Sequence, residues 1–201
     1  LHAMRAWARE HKPEIKTPEI VAPYSTHSTI HKTAKYLDLR VVTVPQNEDL
    51  TADMDALAKA IGPNTIGIVA SAPNWPYGHV DPITEMGELG IERQLWLHVD
   101  ACVGGYFAPF ARMNGVPVPP FDFEVPGVQS MSADLHKYGY AAKGASTVLF
   151  RSAELYAHMP FDMKDWSGAP MKTPTLAGTR PGGAISAAWA VMNHLGVEGY
   201  K

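Results

Sequence analysis

A chain of 201 residues is long enough for one sizeable domain with a core of its own. A net charge of -3 with no basic cluster argues against a nucleic-acid partner, and no apolar run approaches the roughly 20 residues of a membrane span. The single cysteine, Cys102, excludes an intrachain disulfide and suits a reducing compartment, so a cytoplasmic location is expected.

The chain opens inside a helix, with Leu1, Met4, Trp7 and Ala8 as its apolar residues and no capping residue before them. Glu19 to Pro23 reads as a short strand. Thr29 to Leu37 reads as a helix with Ile30, Ala34 and Leu37 on one face, and Arg40 to Val44 as the next strand. Asp53 to Ile61 is an amphipathic helix stopped by Gly62-Pro63. Thr65 to Ala70 is a continuous apolar run, the pattern of a strand covered on both faces. Pro82 to Gly90 is a short helix, Leu95 to Asp100 and Val128 to Ser132 are buried strands, and Ser146 to Phe150 is a last β-rich run. Between Ala108 and Gly127 five prolines predict a long loop, and Gly178 to Gly183 leads into an alanine-rich helix. The far end, from Leu195 to Lys201, reads like the start as an element cut part-way, so the expectation is a fragment.

Alternating strands and helices predict an α/β fold, a mostly parallel sheet with helices on both faces. Ligands of such sheets sit beyond the carboxyl ends of the strands, and Asp100 and Ser132 lie at two of those ends.

Lys137 follows a buried strand and stands between His136 and Tyr138-Gly139-Tyr140. Most lysines are solvated surface charges, but one drawn partly out of water can form Schiff bases. Pyridoxal phosphate needs such an amine for its aldehyde and a carboxylate to keep its ring nitrogen protonated. Lys137 and Asp100 offer both. His98, Asp100 and Cys102 alternate along one strand and raise a rival, a zinc or iron site. With one thiol and no second ligand cluster, no metal is expected. His27, in Ser25-Thr26-His27-Ser28-Thr29, fits either a capping turn or an imidazole lying over a flat ring. Gly178 to Gly183 fits either a plain turn or a phosphate-binding helix start.

Together these segments resemble the sphingosine-1-phosphate lyase family. Ser132-Ala133-Asp134-Leu135-His136-Lys137-Tyr138-Gly139-Tyr140-Ala141-Ala142-Lys143-Gly144 looks like the family's cofactor-lysine segment. Further matches are Ser25-Thr26-His27, Ala72-Pro73-Asn74-Trp75-Pro76, His98-Val99-Asp100-Ala101-Cys102, and Thr173 to Gly183. The related group II amino-acid decarboxylases share the histidine region, the aspartate and the His-Lys pair, but usually lack a lysine at the position of Lys143.

The resemblance implies the large domain of the aspartate-aminotransferase-like, fold type I, pyridoxal-phosphate enzymes. Residues 1–201 would be its central part, without the small C-terminal domain and without the Gly-Thr-Glu phosphate turn that family members carry before the first helix. Lys137 would form the Schiff base, Asp100 would pair with the pyridinium nitrogen, and His27 would stack on the ring. His136 would help hold the cofactor phosphate, Asn74 would lie near the ring hydroxyl, and Thr179 would reach the phosphate bound mainly by the other subunit of a homodimer. Lys143, or a tyrosine not seen in the sequence motifs, would serve the 3-hydroxyl proton or the substrate phosphate. The implied reaction cleaves a phosphorylated long-chain 2-amino-3-hydroxy base to a fatty aldehyde and phosphoethanolamine. The alternatives are an amino-acid decarboxylase with the same cofactor, and a fragment that binds no cofactor and catalyses nothing.

Overall fold

The computed structural model describes all 201 residues. Six strands form one sheet in the order β2-β1-β3-β4-β5-β6, with β1 Glu19–Pro23, β2 Arg40–Val44, β3 Thr65–Ser71, β4 Trp96–Asp100, β5 Val128–Ala133 and β6 Thr147–Phe150. The first five run parallel, and β6 pairs antiparallel to β5 at the edge. The sheet is mostly parallel, as the alternating pattern predicts. β1 and β3 are buried along their whole length, which is why their sequences are continuous apolar runs.

Helices cover both faces. On one face α1 (His2–His11) and α2 (Ser28–Tyr36) bring Met4, Ala8, Ile30 and Ala34 onto Ile20, Ala22, Ile66 and Trp96. On the other, α3 (Met54–Ala60) and α4 (Ile83–Glu92) bring Leu57, Ile83 and Met86 onto Val21, Ile68, Leu97 and Val99. Small residues let these layers approach. A methyl carbon on Gly67 would sit 2.5 Å from the Met4 sulfur, and one on Gly127 would sit 2.2 Å from the Gly87 carbonyl oxygen. Asp53 caps α3 by accepting the Ala56 N–H at 2.9 Å.

The proline-rich stretch departs from the expected loop. It contains α5 (Ala108–Met113), because Pro109 sits in the first turn, where a missing N–H costs nothing. Beyond Phe150 the chain forms α6 (Ala153–Tyr156), a hairpin of β7 (Phe161–Met163) and β8 (Met171–Thr173), and α7 (Gly182–Tyr200) with a break at Gly196, whose φ is 59°. All the parallel strands end at one edge of the sheet, and the segments that follow β1, β3, β4 and β5 gather there.

Candidate functional site

At that edge the register sets Ser71, Asp100 and Ser132 side by side on β3, β4 and β5. Asp100 is half-buried. Its Oδ1 accepts the Cys102 N–H at 3.1 Å and the Ser132 hydroxyl at 3.2 Å. Both bonds fall on one oxygen, so Oδ2 is the one left for a ligand. The loop after β4 is packed tightly against the end of β3: a methyl carbon on Gly104 would meet the Ala72 carbonyl oxygen at 2.3 Å.

Lys137 stands in a compact turn after β5. The Lys137 N–H reaches the Asp134 carbonyl at 3.2 Å, and the Ala141 N–H reaches the Leu135 carbonyl at 3.0 Å. Only glycine fits at position 139, since a Cβ would lie 2.7 Å from the Leu135 carbonyl oxygen. The turn is tied to the Asp100 loop by the Asp134 N–H, which donates to the Cys102 carbonyl at 3.3 Å. The lysine is less withdrawn than the sequence suggests. Its side chain is a third exposed, and Nζ lies 3.1 Å from Asp134 Oδ2, an ion pair made natural by their spacing of three in a turn. His136 Nε2 is 3.5 Å from the same oxygen, and Ser146 donates its hydroxyl to Oδ1. Burial works to raise the Asp134 carboxyl, but the Ser146 hydrogen bond and the Lys137 ammonium outweigh it and hold the group below its ordinary range. Asp134 is the residue that sequence reasoning passed over, although its spacing from Lys137 was legible.

His27 follows β1 and caps α2: its Nδ1 accepts the Thr29 N–H at 3.2 Å. The capping turn and an exposed ring therefore coexist. Beside it, Ser25 Oγ and Thr26 Oγ1 are buried without a hydrogen-bond partner, as is His136 Nδ1. Asn74 is buried. It accepts the Tyr77 N–H at 3.1 Å and donates to the Leu50 carbonyl at 3.4 Å, so its side chain holds the turn after β3. Lys143 and Thr179 are exposed, and no hydrogen bond joins either side chain to Asp100 or Lys137.

His98, Asp100 and Cys102 do share a face, and all three meet the Ser132 hydroxyl, which lies between them at 3.5, 3.2 and 3.3 Å. The one group of such side chains with ligand atoms within 4.8 Å of one another is Glu10, His11 and His158, where Glu10 and His11 are exposed. Burial, then the Asp100 charge, pushes the Cys102 thiol up. Next to Ser132 and His98 opens a largely apolar cavity of about 680 Å³, bounded by the start of α1, by Tyr36, by Phe150 and by Leu176.

Residues 2–201 match the family described as the pyridoxal-dependent decarboxylase conserved domain. The chain belongs to that family. Within it, the sphingosine-1-phosphate lyase of Arabidopsis thaliana is 47% identical over 191 residues, which are 95% of this chain and 35% of that protein. A Methanocorpusculum labreanum protein named "Probable L-tyrosine/L-aspartate decarboxylase" is 40% identical over 202 residues, 100% of this chain and 53% of that one. Among solved structures, the sphingosine-1-phosphate lyase of Burkholderia pseudomallei superposes with a TM-score of 0.95 at 40% identity, covering 99% of this chain and 46% of that one. The chain spans about a third of the length of the sphingosine-1-phosphate lyases it matches.

The family's cofactor is pyridoxal 5'-phosphate. The residues at the sheet edge fit it: a carboxylate at the end of β4, an amine in the turn tethered to the loop that follows it, an exposed imidazole, and three buried polar atoms without partners. No helix is long and apolar enough to cross a membrane.

Proposed function

We propose that this chain is the central part of the cofactor-binding domain of a pyridoxal-phosphate-dependent carbon–carbon lyase. Its substrate would be a phosphorylated long-chain 2-amino-3-hydroxy base, cleaved to a fatty aldehyde and phosphoethanolamine. The observation that carries the reading is the carboxylate of Asp100 at the end of β4 with the amine of Lys137 in a turn tied to the segment that follows it, in a backbone that superposes on the Burkholderia lyase with a TM-score of 0.95.

When bound, the cofactor supplies an electron sink for the charge left at the substrate's Cα. Asp100 would hold the proton on the ring nitrogen, because an adjacent anion favours the charged form. Lys137 would hold the cofactor through its amine, and Asp134, 3.1 Å from Nζ, orients that side chain. His27, exposed beside the cap of α2, would cover the cofactor ring, Asn74 would hold the turn beside its hydroxyl, and His136, with its unpartnered Nδ1, would help hold the phosphate. Lys143, exposed beyond the turn, serves the substrate phosphate or the 3-hydroxyl proton.

Amino-acid decarboxylation is the second reading, favoured by the 40% identity to the Methanocorpusculum protein. Incubation of the full-length protein with a phosphorylated long-chain base should release a fatty aldehyde and phosphoethanolamine. Carbon dioxide and an amine formed from amino acids, with the phosphorylated base untouched, would establish the second reading instead.

The partner in this proposal is a second copy, with Thr179 reaching the neighbour's cofactor phosphate. It is supported by the exposure of Thr179 and of the apolar surface around it. Mixing full-length Lys137→Ala chains with chains carrying Thr179→Ala and Arg180→Ala should restore activity, since one site of each heterodimer is then intact. Verified heterodimers without recovery would reject shared sites. A cytoplasmic location completes the proposal, on the ground of the single unpaired thiol.

A further inference from the structure

We infer that Trp96, Ser130, His98 and Ser132 form a one-directional hydrogen-bond chain that ends on the Asp100 carboxylate and positions it for the cofactor's ring nitrogen. The inference rests on the reading of Asp100 given above and names the residues that act through it.

Alternation along β4 turns Trp96, His98 and Asp100 to one face, and along β5 it turns Ser130 and Ser132 to the same face. The strand register sets His98 opposite Ser130 and Asp100 opposite Ser132, so the two rows meet. The proton inventory then fixes the direction. An indole N–H can only donate, and Trp96 Nε1 gives its proton to Ser130 Oγ at 2.8 Å. The Ser130 hydroxyl has one proton of its own and lies 2.8 Å from His98 Nδ1. If Nδ1 were the protonated nitrogen, Ser130 would face two donors and its own proton would be buried without an acceptor. The satisfied arrangement has Ser130 donating to a bare Nδ1, which places the imidazole proton on Nε2.

Nε2 faces Ser132 Oγ at 3.5 Å. At the other end a carboxylate can only accept, so the Ser132 proton goes to Asp100 Oδ1 at 3.2 Å. Cys102 adds to the same junction, its sulfur 3.3 Å from Ser132 Oγ and its N–H 3.1 Å from Oδ1. Every dipole in the chain points at Oδ1, and each link polarises the next.

Burial, then the Leu1 ammonium at the start of α1, pushes His98 down to about 4 against the pull of Asp100. Burial, then the Asp100 and Asp134 carboxylates, pushes the Cys102 thiol up, so the imidazole and the thiol beside Asp100 are both uncharged. A cationic imidazole here would compete with the pyridinium for the carboxylate. A neutral one orients the carboxylate and leaves its charge for the ring. Ser132 and His98 are therefore positioning residues, and Ser132 is the one that touches Asp100.

The test uses the full-length protein loaded with pyridoxal phosphate. Two quantities are read across pH: kcat, and the nitrogen NMR resonance of cofactor isotopically labelled at its ring nitrogen, which reports the proton there. Ser132→Ala should lower kcat about tenfold with little change in KM, and should move the ring-nitrogen transition to lower pH by about one unit. Ser132→Thr, which keeps the hydroxyl, should restore both, and Ser130→Ala should shift the transition in the same direction by less. Equal losses in Ser132→Ala and Ser132→Thr would mean packing alone and would overturn the inference. So would an unshifted transition in both Ser132→Ala and Ser130→Ala. Asp100→Asn separates the two readings. If it retains wild-type kcat and the wild-type ring-nitrogen resonance, the assignment of Asp100 falls. If it abolishes turnover while the serine variants are unchanged, Asp100 stands and the chain of positioning residues falls. Should Ser132→Ala not fold, Ser130→Ala, which leaves the bond to Asp100 in place, carries the test.

Discussion

The carboxyl edge of the sheet and the last forty residues of the chain are built on opposite terms. At the edge, Asp100, Ser132, Asp134 and Lys137 all have partners within the chain. In α7 only Ala188 is buried, while Ile185, Trp189 and Val197 are exposed, and Leu176 just before it is fully exposed. The ten residues of α4, by contrast, bury Ile83, Met86, Gly87 and Gly90. The first region holds its geometry by itself. The second is a helix whose apolar surface asks for a cover. Its inner side touches the first region: Ala188 packs on Ala141 and Ala145 beside the Lys137 turn, and the Tyr200 hydroxyl donates to the Gly139 carbonyl at 2.9 Å.

Changes at the edge should break function most. Lys137→Ala in the full-length protein should cost about 10³-fold or more in turnover, the scale of losing a positioned acid–base group. Peptide mapping after borohydride reduction should find the cofactor label on Lys137 in the parent and nowhere in the variant. A label on Lys143 in the parent would reassign the lysine. Gly104→Val tests whether the edge depends on close backbone approach, because its Cβ would lie 2.3 Å from the Ala72 carbonyl oxygen. A loss of about 3 kcal/mol in chemical denaturation is expected from that overpacking. Wild-type stability would show that the loop after β4 can move aside freely.

The two regions also differed in how far the sequence revealed them. The bounds of β1 and of the partly exposed edge strand β2 follow from composition and punctuation alone, and β3 is read correctly to within a residue, because a strand buried on both faces is a largely apolar run. Lys137 and Asp100 were legible because their chemistry sits in short motifs at strand ends. The chain through His98 and Ser132 was not, since it depends on the register of β4 against β5, which shifts between Leu97 and His98. The hairpin of β7 and β8 left no periodic signal, being three exposed or nearly exposed residues on each side. α7 was legible as a helix, but its exposure was not. A helix apolar on most of its faces reads as one buried in its own chain.

A pH series sharpens the same contrast. Unfolded, His98 takes a proton below about 6.5; folded, only below about 4. Between those values the unfolded chain holds more protons, so stability falls as pH falls, by about 3 kcal/mol over the whole window. Asp81 has the opposite sign. Burial pushes it up to about 6, so its contribution is full below its unfolded value of 3.8 and is lost as pH rises through 6. The difference between the parent and His98→Gln isolates the histidine. Unfolding free energies should converge toward pH 4 and separate as pH rises toward 6.5. A constant difference across that range would mean that His98 is already solvated in the folded chain.

The smallest effect on the chain itself should come from the outer side of α7, and that smallness is the point. Trp189 is 70% and Ile185 62% exposed, so replacing both with lysine removes almost no contact within the chain. The unfolding free energy should change by no more than about 0.5 kcal/mol, as for other surface positions. If this side is where a second copy sits, the same change in the full-length protein should turn a dimer into a monomer in sedimentation, because buried lysines there would lack partners. Ala188→Asp is the counterpart on the inner side. It places a carboxylate among Ala141, Ala145 and Leu135 and should destabilise the isolated chain by about 2 kcal/mol or more, loosening the turn that carries Lys137. A dimer that survives the double lysine change would move the pairing surface elsewhere. A chain destabilised as much by the outer change as by the inner one would mean that α7 is held by more of its surface than Ala188 and Tyr200 provide.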